Sequence, residues 1–483
     1  MDSKIMEALS FMKELDAEYG DIRLKDIFTE SIKIENGQVT DLSTNRSRGM
    51  GIRVYADGAM GFAATSDLDD MDSIKNTVRL AYDTAVASSM LIRSKTTLAP
   101  KDVVTANYST QIKSDPFSVP FEEKIELLMN CSTIMSKEEG VSYCEATLDF
   151  RKEEVIFADI EGSYITQTFY NSGGGIEAIA RASSDTDTQT RSYGNILKAG
   201  YEAILELNLP KHAEIIAKEA VALSKAKDCP SGEFDLILMP TQMHLQIHES
   251  IGHPTELDRV LGSEAAFAGA SFLSPDDATS NLKYGSEHVT IVADATDAMG
   301  DRGLGTFAYD DEGVPAQNIT LIEKGIFKNF QSSRDNASVV NQNSHGMGLS
   351  DGWENLPIVR MTNINMQPGG FTLDNLISGI EYGFLLEENK SWSIDDKRIN
   401  FQFACEIARE IENGKLTGRI FKNPIYTGRT TEFWGNCDGV CNQEHRQMVG
   451  TPNCGKGQPM QIMRVGHASQ PARFRKVRLI ANG

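Results

Sequence analysis

No run of about eighteen apolar residues occurs in the 483-residue chain, so the sequence offers no helix that would cross a bilayer. Its start is equally poor as a leader. Asp2 and Glu7 interrupt it, and no continuous apolar stretch leads to a small-residue cleavage site. Cysteine is present without forming a framework: the seven are an odd number, and Cys131, Cys144, Cys229 and Cys405 stand far apart. That excludes a disulfide-stapled secreted domain and suits thiols in a reducing cytoplasm. Positive charge is short, 47 Lys and Arg against 68 Asp and Glu, a net −21. A surface that acidic repels phosphate backbones, so nucleic acid is not an expected partner. Two catalytic signatures are missing as well. The glycines at 173–175 and at 300–305 lack the Lys-Ser/Thr context of a phosphate loop, and Ser250 does not sit in G-x-S-x-G, which removes the usual serine hydrolase.

What is present reads as an α+β protein with two main domains, built of antiparallel, hairpin-rich sheets and packed helices. The length exceeds the roughly 250–300 residues at which single cores stop growing. Ile5, Leu9, Met12 and Leu15 recur at helical spacing up to a stop near Gly20. Strand-like runs then turn at Asn36-Gly37 and Asp57-Gly58, pairs that tolerate the positive φ of a tight hairpin. A helix is expected from about Asp70 to Ser88, a connecting stretch near 90–120, and helices through FEEKIELLMNCSTIM and HAEIIAKEAVALSKAK. The end of that last helical stretch at Lys227-Asp228-Cys229-Pro230 divides residues 1–230 from residues 231–483, and a further hairpin is expected at Lys324-Gly325.

Three of the eight histidines fall at 244, 248 and 253. His248-Glu249-Ser250-Ile251-Gly252-His253 reads H-E-x-x-x-H: two imidazoles to hold a metal and an adjacent carboxylate to take a proton from water. The spacing is one residue longer than the familiar H-E-x-x-H. Residues five apart diverge by about 140° on a regular helix, so the helix must loosen or end between Ser250 and His253. A π-type turn would do this, and so would a break at Gly252 ahead of Pro254. His244 and His248, four apart, form a rival pair on regular geometry, beside a core-facing stripe of Met243, Ile247 and Ile251. Cys437, Cys441 and His445 are a third candidate grouping, and the carboxylate run Asp310-Asp311-Glu312 could bind a cation or an amine, or simply make an acidic turn.

The H-E-x-x-G-H string with Glu256 and Asp258 just after it, DDEGVPAQ from Asp310, RMTN at 360–363 and CGKGQP at 454–459 together resemble the TldD/PmbA family of metallopeptidases, and specifically its TldD branch. The resemblance spans nearly the whole chain. It implies a zinc-dependent peptidase acting on unfolded or flexible peptides, with His248, His253 and Cys454 as Zn²⁺ ligands and Glu249 as general base. Glu256 is then a candidate to orient an imidazole from behind. The resemblance further implies a homodimer, or a heterodimer with a metal-free PmbA-like paralogue. Two other readings stay open at this stage: a modulator or binding protein with a structural metal, and a zinc amidohydrolase of small molecules.

Overall fold

The computed structural model describes residues 1–92, 94–181, 187–267 and 269–480. At Asn36 and Gly37 the backbone takes φ of 47° and 75°, and at Asp57 and Gly58 52° and 74°, the left-handed values such hairpins demand. These turns join Tyr19–Glu35, Gln38–Ala56 and Ala59–Thr65 into an antiparallel meander. Tyr19–Glu35 pairs on its other side with Val141–Asp159, which turns back into Tyr164–Arg181. Thr188–Leu197 and Thr105–Ser109 both pair with that last strand, so one sheet runs through residues 19–197. The stretch near 90–120 is therefore not connection alone, because Thr105–Ser109 completes this edge.

Helices cover the sheet in two groups. Asp2–Glu14 and Met71–Ser89 bury Ile5, Leu9, Ile74 and Val78 against Ile22 and Ile52. Phe121–Ser136 and Leu209–Lys225 bury Leu128, Met135, Ala213 and Ala217 against Leu148 and Ile176. The first helix ends at Glu14, earlier than the stop read at Gly20. Gly20 belongs to the first strand, where Met12 packs so closely that a Cβ would lie 2.6 Å from its sulfur.

Beyond residue 231 the strands close on themselves. Gly232–Leu238 pairs with Tyr382–Ile394 in parallel and with Ala472–Ile480 antiparallel. Ala472–Ile480 pairs with Ile425–Arg429, that strand with Asn400–Glu412, and that one with Tyr382–Ile394 again. The ring is a barrel, and closure removes the open edges that a flat sheet would expose. Leu236, Leu238, Phe384, Phe403, Tyr426 and Phe474 share its core with Met243, Ile247 and Ile251. Beside it lie a small sheet that includes Ile291–Asp294 and Ile364–Met366, and the hairpin Gln447–Lys456 with Gln461–Ser469.

The carboxylate run at 310–312 locks the two halves together. Asp311 accepts from Lys25 Nζ at 2.8 Å, and Glu312 from Arg53 Nη1 at 2.7 Å, while Arg53 also binds Asp21 through Nε and Nη2. Asp310 accepts from the backbone N–H groups of Glu312, Val314 and Gly348. These carboxylates are thus engaged with strands of the N-terminal sheet and with their own turn. Arg53, Asp21 and Glu312 are all fully buried, so each depends on the others for neutralisation. Arg53→Leu is expected to lower unfolding free energy by about 3–5 kcal/mol, since it strands two buried carboxylates. In the same urea titration Arg46→Leu, which removes a surface pair with Asp26, should leave the midpoint almost unchanged. Equal midpoints for the two variants would show that the halves are held by something else.

Candidate metal centre

The helix Pro240–Ile247 opens on a proline at its first turn and buries Met243 and Ile247 in the barrel core, where Ile251 of the following turn joins them. At His248 its pitch changes. His248–Gly252 is a π turn and His253–Thr255 a single 3₁₀ turn. A π turn brings residues five apart nearly into line, and the His248 and His253 ring centroids stand 4.7 Å apart. The widened turn releases carbonyls from the regular ladder, and side chains take them up. Tyr284 Oη donates to Ser250 O at 2.5 Å, Thr255 Oγ1 to Ile251 O at 2.8 Å and Gln331 Nε2 to Gly252 O at 2.6 Å. On the hidden face, Gln242 donates to Tyr426 Oη, which donates to Gln246, and Ser250 Oγ accepts from Gln246 and Trp434. Gly252 is not the break its position suggests. Its φ is −55°, ordinary for a helix, and glycine is required because a Cβ would lie 2.2 Å from the Met361 sulfur.

Cys454 arrives from the strand Gln447–Lys456, opposite Met463, just past a bulge that follows Thr451. A bulge re-aims the side chain beyond it, and here Cys454 Sγ comes 3.8 Å from His253 Nε2. The buried Arg360 guanidinium pins this strand from below, donating to the carbonyls of Cys454 and Gln461. Lys456 ties it to the helix end, bonding Asp258 at 2.7 Å and lying 3.5 Å from Glu256. Ligand atoms of His248, His253 and Cys454 all fall within 4.8 Å of one another, and no other such His, Cys, Asp and Glu group occurs among the described residues.

Hydrogen bonds settle which nitrogen of each imidazole faces inward. His467 Nδ1 lies 3.1 Å from the carbonyl of Ile364 and therefore carries a proton, so its Nε2 accepts from His248 Nδ1 at 2.8 Å. His253 Nδ1 faces the Glu256 carboxylate at 3.1 Å, with Arg259 Nη2 at 3.3 Å. Both Nε2 atoms are left for a metal, the arrangement that outer carboxylates and carbonyls impose on ligating histidines. Burial holds His248 and His253 below the usual imidazole range. Burial alone would raise the Cys454 thiol, yet His253 and Arg360 beside it bring it below the ordinary cysteine range. Glu256 likewise resists its burial, because Lys456, His253 and Arg259 hold its carboxyl well below the usual carboxylate range. Two imidazoles and a thiol are a donor set that fits Zn²⁺.

Glu249 faces the same cleft, a hollow of about 550 Å³, and pairs with Arg398 Nη1 at 2.5 Å. His244 borders the cleft but is not part of the ligand group, and burial pushes its pKa down to about 4. Cys437 and Cys441 face different cores, the first the barrel and the second a small cluster around Leu376 and Ile380. Sequence reasoning missed His467, Arg398, Tyr284 and Gln331. Each stands alone in the chain, more than thirty positions from the motif it serves, with no local pattern to mark it.

Three family profiles match the chain in order: PmbA/TldA metallopeptidase domain 1 over residues 20–85, the central domain over 114–227 and the C-terminal domain over 231–460. The first two divide a region that a single sheet joins. A metalloprotease of Methanocaldococcus jannaschii is 30% identical over 445 residues, 91% of this chain and 92% of that one. A zinc metalloprotease TldD homolog of Saccharolobus solfataricus is 24% identical over 466 residues, 94% of this chain and 98% of that one. TldE from Thermococcus kodakarensis has a similar fold, with a TM-score of 0.73 at 17% identity over 99% of both chains.

The imidazole relay makes a measurable difference. His467→Phe fills the space but removes the acceptor behind His248, and metal affinity in a chelator competition should fall about 10- to 100-fold with the fold intact. An unchanged affinity would mean that His248 is oriented by packing alone.

Proposed function

Since the chain belongs to the PmbA/TldD metallopeptidase family, we propose that it is a zinc peptidase whose ion is held by His248, His253 and Cys454. Its substrates are unfolded or flexible peptides. The observation that carries this reading is the convergence of the three ligand atoms on the wall of a cleft that also holds Glu249. When bound, the ion supplies a Lewis acid and leaves one of its usual four positions to the reacting groups. Glu249 takes a proton from the attacking water and returns it to the departing amine. Glu256 and His467 keep the two imidazoles aimed.

The shape of the surroundings supports an extended substrate. Past His244, Gly450 and Pro452 the cleft continues into a second hollow floored by Gly173, Gly174 and Gly175 of the N-terminal sheet. A groove between the two halves accommodates a length of chain, where a small-molecule amidohydrolase would need an enclosed pocket. A purely structural metal would call for four protein ligands, and the group here has three. No helix among the described residues is long and apolar enough to cross a membrane. Pairing with a second copy or with a metal-free PmbA-like paralogue belongs to the same proposal.

The test separates base from ligands. Glu249→Gln should keep about one zinc per chain and lose peptide hydrolysis by two orders of magnitude or more. His248→Ala, His253→Ala and Cys454→Ser should each lose the zinc, while Cys437→Ser and Cys441→Ser retain it. Substantial peptidase activity in Glu249→Gln, or full zinc in Cys454→Ser, would overturn the corresponding assignment.

A further inference from the structure

As water adds, negative charge gathers on the scissile carbonyl oxygen, where a fixed protein cation can share it with a bound Lewis acid. We infer that Arg398 meets it, and that its guanidinium is paired with Glu249 so that proton transfer hands its charge from the carboxylate to the substrate. This rests on the hydrolytic reading above.

Placement is the first argument. Arg398 lines the cleft with His248, His253 and Cys454, and it is the one Lys or Arg among the described residues that does so. Two further donors close by are committed elsewhere. Arg360 is buried beneath Cys454 and holds two backbone carbonyls, and Asn389 Nδ2 is turned toward Gln242 and the Ala404 carbonyl.

Its backbone is the second. Arg398 has φ of 62°, a left-handed conformation that is unfavourable for a non-glycine residue and persists only where the surroundings impose it. They do so here. The Arg398 N–H donates to the carbonyl of Asp395 at 2.9 Å, and Thr430 Oγ1 donates to the Arg398 carbonyl at 2.7 Å. The Asp395 carboxylate in turn accepts from the backbone of Ile399 and Asn400 and from the Asn400 side chain. The turn that presents the guanidinium is therefore fixed before substrate arrives, as electrostatic stabilisation requires.

The charges then follow in order. The water oxygen bonds to the carbonyl carbon, the C=O π pair moves onto the carbonyl oxygen, and the water proton passes to Glu249. Glu249 becomes a neutral acid, so its attraction for Arg398 weakens at the moment the carbonyl oxygen becomes anionic. On collapse the pair returns to re-form C=O, the C–N bond breaks, and the amine nitrogen takes the proton from Glu249. The Glu249–Arg398 ion pair is restored.

Arg398→Met and Arg398→Lys, loaded with zinc, test this through kcat and through the Kd of a phosphinic peptide, whose tetrahedral anionic centre mimics the charged oxygen. Arg398→Met should keep its zinc and its KM within about twofold, and lose about 10²–10³ in kcat and a similar factor in phosphinate affinity. Arg398→Lys should fall between it and the parent. Repeating the phosphinate titration in a Glu249→Gln background separates direct contact from mere support of Glu249: a loss of about 100-fold on adding Arg398→Met there is expected. Undiminished kcat and phosphinate affinity, or equal weakening of phosphinate and uncleaved peptide, would overturn the role. If the parent protein cleaves no peptide but binds phosphinate in an Arg398-dependent way, the hydrolytic reading fails and the anion contact stands.

Discussion

Everything at the cleft presupposes one hydrogen-bonded turn that is wider than the helix it interrupts. Were His248–Gly252 to relax to ordinary α pitch, the two imidazoles would swing about 140° apart, and Cys454 would face one of them at most. A π turn forfeits regular bonding, so it needs donors from outside the helix. Tyr284, Thr255 and Gln331 supply them, and the Gln242–Gln246–Ser250 row holds the same helix from its far side through Tyr426 and Trp434. All of these groups are buried, where an unmet carbonyl is costly and the bonds are correspondingly firm.

The sequence was most readable where chemistry and geometry are local. The Asn-Gly and Asp-Gly turns, the stripe of Met243, Ile247 and Ile251, and the need for a distorted helix all follow from spacing within a few residues. The domain-locking part of Asp310, Asp311 and Glu312 was hidden, because their cations, Lys25 and Arg53, lie more than 250 positions earlier. His467 was hidden for the same reason. A single histidine on a strand carries no mark of its purpose until folding places it behind another. Gly252 was readable as special but for a different reason than the structure reveals: close packing by Met361, with no departure from helical φ.

Buried charges in this acidic protein are met by cations brought in from distant parts of the chain. Lys456 sits between Glu256 and Asp258 on the helix side and is two residues from Cys454 on the strand side. The same contact neutralises the carboxylate that steers His253 and fixes the approach of the thiol. Arg360 does likewise with backbone carbonyls alone. The RMTN and CGKGQP strings, which stand almost a hundred residues apart, are therefore two sides of one brace.

The position of Ala472–Ile480 in the barrel has a consequence for how the protein comes into being. Chain order and spatial order oppose each other here: the strand lies between Gly232–Leu238 and Ile425–Arg429, yet it is made after both. Until it emerges from the ribosome, the strand that launches the metal helix has no antiparallel neighbour, and Cys454 and His467 are themselves still recent arrivals. The three candidate ligands therefore cannot meet on a completed barrel before residues 454–480 have been made.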